Sequence, residues 1–135
     1  ALSDNYEAKR QDGEILSYPV KGSTTIYKGA MIVDLNTGYA SVGVDGSGNI
    51  FLGVAVEKIV NSGSDGAKRI RVYKTGVFQY NMPSAAQTDL DQQVYIRDDN
   101  TVDTTVTNSV KCGFIVDIVD SSTVKVQIDH DAQSQ

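Results

Sequence analysis

The residue types that carry chemistry are few in this chain. There is one histidine, His130, near the end, and one cysteine, Cys112. A Ser-His-Asp or Cys-His arrangement has few parts to draw on, and a zinc site would need carboxylates for most of its ligands. Cys112 stands beside Gly113 in an apolar run and reads as a buried, inert thiol with no partner for an intrachain disulfide. Asp45-Gly46-Ser47-Gly48-Asn49 looks like the start of a calcium loop. Its sixth position, however, is Ile50 instead of glycine and its twelfth is Val56 instead of glutamate. That stretch reads as a hairpin loop. Asp98-Asp99 and the Asp89/Asp91 pair read as turn and helix-end residues, and the glycines form neither GxGxxG nor GxxxxGK spacing. The expectation is no enzyme: no catalytic residues, no metal ligands and no cofactor.

The elements that would have to position any such residues are strands. The stretch Ile50–Tyr80 reads as a hairpin, an apolar run followed by a Gly/Ser/Asp-rich turn and an alternating run in which Ile70 and Val72 alternate with Arg69 and Arg71. Lys111–His130 repeats the plan with a shorter turn at Asp120-Ser121-Ser122. Gly53-Val54-Ala55-Val56 aligns with Gly113-Phe114-Ile115-Val116, an offset of 113 − 53 = 60. Asp34-Leu35-Asn36-Thr37 aligns with Asp98-Asp99-Asn100-Thr101, an offset of 98 − 34 = 64. The closing strand places Val124, Val126 and Ile128 on one face and Lys125, Gln127 and Asp129 on the other.

Between these come Glu14–Val20, whose Pro19 confines it to an edge, then Thr24–Tyr27, Ala30–Leu35, Tyr39–Val44, Val94–Arg97 and an extended Thr101–Val110. One short helix is expected near 84–90, opened by Ser84 with Gln87 at capping-box spacing. Strand signals about every eight to twelve residues give an all-β fold, a compact barrel or sandwich built from two similar β modules. The modules span about 24–80 and 90–130 within one domain, 13–131, preceded by a polar N-terminal arm, 1–12, and followed by a polar tail, 132–135.

Bulk composition narrows the partners. A net charge of −5 and a sequence pI near 4.6 argue against a general binder of nucleic acid or anionic membrane. The Lys68-Arg69-Arg71-Lys74 cluster reads as the solvated face of a strand. No apolar run is long enough to span a bilayer, and the first residues lack the basic and apolar regions of a secretory signal. The expected site of synthesis is a cytoplasm.

The succession Lys28-Gly29-Ala30-Met31-Ile32, Gly53-Val54-Ala55, Thr75-Gly76-Val77-Phe78, Gln93-Val94-Tyr95, Gly113 and Val124-x-Val126-x-Ile128 resembles the small capsid cement, or decoration, proteins of tailed bacteriophages. The resemblance covers most of the chain through short motifs. It implies a β-tulip-like all-β protein on the outer surface of a virion head, a homo-oligomer (trimer or dimer) that staples neighbouring subunits of the major capsid protein. The charged turn Asn61–Gly66 and the polar C-terminal tail depart from the family pattern. Leu2, Tyr6 and Arg10 are the candidate capsid contacts, being anchors in an otherwise polar terminus. Tyr18, Tyr27, Tyr39, Tyr73 and Tyr80 exceed what one small core takes without hydroxyl partners, and Tyr18, Tyr39, Tyr73 and Tyr80 are the candidate subunit contacts. The alternative reading is a receptor- or carbohydrate-binding β domain of a phage tail or adhesin, which the absence of tryptophan weakens.

Overall fold

A computed structural model describes residues 3–4 and 14–128. The arm residues Leu2, Tyr6 and Arg10, the residue Asp129, and His130 with the tail lie outside the described residues. The fold is all-β. Among the described residues, twelve strands run in the order β1 (Ile15–Pro19), β2 (Thr24–Ile26), β3 (Met31–Asp34), β4 (Ala40–Val42), β5 (Ile50–Ala55), β6 (Ile59–Asn61), β7 (Arg69–Tyr73), β8 (Gly76–Asn81), β9 (Gln93–Ile96), β10 (Val102–Asp103), β11 (Lys111–Asp120) and β12 (Thr123–Ile128).

The two halves of the chain form two sheets with the same plan. The first sheet is ordered β1-β7-β5-β3-β4 and the second, read from the matching end, β8-β12-β11-β9-β10. Every neighbouring pair in both is antiparallel. Each sheet curls until its two edge strands meet through one parallel bridge, Val20 to Ala40 in the first and Asn81 to Thr101 in the second. Among the described residues, the first half alone carries an inserted ribbon, β2 paired with β6.

The aligned glycines explain why the repeat is legible. A Cβ on Gly53 would collide with the carbonyl oxygen of Tyr73 and the Val72 side chain. One on Gly113 would collide with the carbonyl oxygen of Gln127 and, at 2.9 Å, with Val126 Cγ1. The same crossing of β5 over β7 thus recurs where β11 passes β12, and only glycine fits at either. Gly53 adds a φ of +144°, closed to other residues.

Two clusters make up the core. Val94, Ile96, Cys112, Ile115, Val124, Val126 and Ile128 of the second sheet pack with Met31, Val33, Phe51 and Val54 of the first. Ile32, Ala55, Ile70 and Val72 face the other way, onto Val20, Ile26 and Ala40. The inner strand β3 is therefore buried on both faces, which is why Met31-Ile32-Val33 is a continuous apolar run. By contrast β12 alternates between buried and exposed, as its sequence pattern requires.

Three expectations are corrected. Ile50–Tyr80 is not a simple hairpin: β5 and β7 share two register pairs, Val54–Tyr73 and Ala55–Val72, and β8 belongs to the other sheet. Sheet membership consequently changes between Tyr73 and Gly76, not after Tyr80, and the second half includes β8. The short helix shrinks to one 3-10 turn, Gln87–Asp89. Ser84 has a φ of +56° and cannot open a helix; instead the Asp89 carboxylate accepts from the Ala86 amide at 2.9 Å. Pro19 does sit at the end of an edge strand.

Candidate functional site

The candidate subunit-contact tyrosines have separate environments. Tyr80 is buried, and its hydroxyl donates to the Gly29 carbonyl at 2.8 Å. Burial raises its pKa well above the ordinary tyrosine value, with the neighbouring Cys112 and Asp99 adding to the shift. Tyr80 is thus mainly a core residue, which leaves little of it for a subunit contact. Tyr18 is half-buried, and its hydroxyl accepts from Lys74 Nζ at 2.8 Å. Tyr73 is half-buried against Phe78, with ring centroids 5.7 Å apart, at the crossing from β7 to β8. Tyr39 is half-buried beside the Gly66 turn. Tyr27 stands furthest into solvent, 60% exposed, with Lys58 Nζ 5.1 Å from its ring centroid.

The basic cluster divides in two. Lys68, Arg69 and Arg71 are exposed, as expected; Arg71 pairs with Glu57 at 2.9 Å and Arg69 donates to Ser17. Lys74 is half-buried and also donates to the Leu52 carbonyl at 2.6 Å. It thereby links β1, β5 and the β7–β8 crossing. The Asp45 carboxylate accepts from the Thr107 and Asn108 amides at 3.2 and 3.0 Å, so it ties the two halves together. Cys112 is fully buried, its Sγ 3.6 Å from the Val94 carbonyl, and burial pushes its thiol pKa far up. It is not a nucleophile in this setting.

A concavity lies between the halves. Tyr27, Lys28, Gly29 and Ala30, from the link between β2 and β3, form one wall. Gln79, Tyr80 and Asn81 of β8 line the other side, together with Asp99, Asn100 and Thr123. The groove measures ≈ 460 Å³, within the range of about 300–1,000 Å³ usual for ligand clefts. Within this lining Asn81 donates its amide to the Asn100 carbonyl at 3.1 Å and bridges Thr101. Partial burial, and then the neighbouring Asp98, raise the Asp99 carboxyl above its ordinary value. No salt bridge to Asp99 occurs among the described residues.

No family model matches the chain. No curated protein matches it either. Among solved structures it is similar to the head fiber gp8.5 N base in bacteriophage phi29, with 13% identity and a TM-score of 0.49 over 85% of this chain and 94% of that one. At that score the likeness carries no inference.

Sequence reasoning did not single out Gln79, Asn81, Asp99 and Asn100 as neighbours around a groove. One local signal was present. Thr75–Asn81 contains no charge and no proline, which is unusual for a strand left at a sheet edge. No helix among the described residues is long and apolar enough to cross a membrane.

Proposed function

We propose that the chain is a structural protein of a phage head, a decoration protein that docks on the outer surface of the shell as a homo-oligomer and bridges major-capsid subunits. One observation carries the reading. The short motifs on which the resemblance rests fall on the joints of the duplicated scaffold. Gly53 and Gly113 are the two close crossings, Val124, Val126 and Ile128 are the core face of β12, and Gly29 receives the Tyr80 hydroxyl. The motifs thus specify a stiff, twice-repeated β body rather than a reactive centre. A staple needs stiffness and multivalency: an oligomer that grips several subunits multiplies weak contacts through effective concentration. Binding to the assembled lattice alone then stabilises the shell by linkage.

The arm residues Leu2, Tyr6 and Arg10 remain the proposed lattice contacts. Mixing the purified protein with undecorated shells tests the proposal. Symmetric surface density and a raised shell melting temperature are expected, and no density at saturating protein overturns it. Deleting residues 1–12 should weaken shell binding; unchanged binding removes the arm from the account. A glycan array run on the same preparation tests the carbohydrate-binding alternative.

A further inference from the structure

The second sheet has one long open edge. Asn81 directs its amide away from β12, to Asn100. Strand alternation then turns the amides and carbonyls of Val77 and Gln79 outward as well. No described strand pairs with them. Their side chains are exposed, Val77 by 53%. The other edges are guarded: β1 ends in Pro19, while β4 and β10 have three and two residues.

The sister half shows what such a place can hold. There the inserted ribbon packs beside the matching junction of edge strands, Val20 with Ala40, and Asn61 Nδ2 donates to the Val20 and Lys21 carbonyls at 3.0 and 3.2 Å. The second half has no such ribbon among the described residues, and beside its junction, Asn81 with Thr101, lies the groove.

We propose that the open edge of β8 and the adjoining groove form a docking site for an extended, lysine- or arginine-bearing peptide segment of a partner protein, which adds to the second sheet as a further strand. Main-chain bonds to Val77 and Gln79 hold the segment. The half-buried Asp99 carboxylate, flanked by Asp98 and with no cation paired to it among the described residues, selects the basic side chain. The inference does not depend on the capsid reading, since any partner with such a segment would serve.

The test uses a blocked nonapeptide of alternating threonine and valine with a central lysine, and its glutamate counterpart. Amide hydrogen exchange is followed by NMR in the full chain. The lysine peptide should slow exchange at Val77 and Gln79 and bind about fivefold more tightly than the glutamate peptide. Asp99→Asn should erase that difference. Gln79→Pro should abolish protection while keeping the melting temperature, because the lost amide points away from β12. Should that variant misfold, the exchange map and Asp99→Asn decide alone. Unchanged exchange at millimolar lysine peptide overturns the proposal. So does protection in the free protein that grows with its own concentration, which marks self-association. A glycan-array signal removed by Tyr27→Ala, with no effect of peptide, overturns it in favour of a sugar site.

Discussion

Asn61 is a heavily used polar side chain of the fold. It is buried, its Nδ2 lies within bonding range of the carbonyls of Val20, Lys21 and Ser64, and its Oδ1 accepts the Gly63 amide at 3.0 Å. It organises the charged Asn61–Gly66 turn. Asn61→Ala leaves several buried groups unsatisfied and should cost on the order of 3 kcal/mol, read from urea unfolding. Carboxylates of opposite character set the pH response. Hydrogen bonding to Arg71 holds the Glu57 carboxyl below its ordinary value of 4.5, and the Ser122 amide and hydroxyl lower Asp120 below 3.8. Their stabilisation is present above those ordinary values and is lost as pH falls through the depressed ones. Asp99 runs the other way: its charged form is disfavoured in the fold, so ionisation weakens the protein once pH rises past its elevated value. Asp99→Asn should therefore raise the melting temperature at pH 7, with the gain vanishing in acid where the wild-type carboxyl is already protonated. Glu57→Gln should lower it at pH 7 and flatten the acid limb. Thermal melts from pH 3 to 7 check both signs.

At the scale of elements, the crossings at Gly53 and Gly113 are the strictest positions. Gly53→Ala and Gly113→Ala each force a methyl group into a neighbouring backbone carbonyl, and the strands cannot separate without breaking their ladder. Each should cost about 3 kcal/mol or more, measured by chemical denaturation, whereas Gly38→Ala meets only its φ of +87° in open space and should cost about 1 kcal/mol. A similar loss at both crossings would reflect the equivalence of β5 and β11. The β11–β12 hairpin was legible because its turn is tight and one of its faces is wet. The central stretch was misread because β7 and β8 are nearly continuous in sequence, yet the crossing between them, at Lys74 and the Tyr73–Phe78 ring pair, switches sheets. Alternation specifies which side of a strand is apolar, not which sheet the strand joins.

At the scale of the whole molecule, two half-barrels share a core along the face that carries Met31, Val33, Phe51 and Val54. The unguarded edge of β8 adjoins the groove between the halves. If the protein staples a shell as an oligomer, light scattering at micromolar concentration should report a mass above that of the 14.5 kDa chain. A monomer would count against the reading of Tyr18, Tyr39 and Tyr73 as subunit contacts.

The all-β class, the internal repeat, the edge position of Pro19 and the core face of β12 were all determined by sequence, because each rests on a local rule: side-chain period, turn chemistry or a missing amide. Residue type also limited the chemistry, with a lone cysteine in an apolar run. Tertiary structure alone decided that Tyr80 belongs to the core, that Lys74 and Asp45 are joints, and that β8 lies at an open edge beside Asp99. Those outcomes depend on which distant strands meet, and pairing across the fold leaves no periodic trace in the chain that forms it.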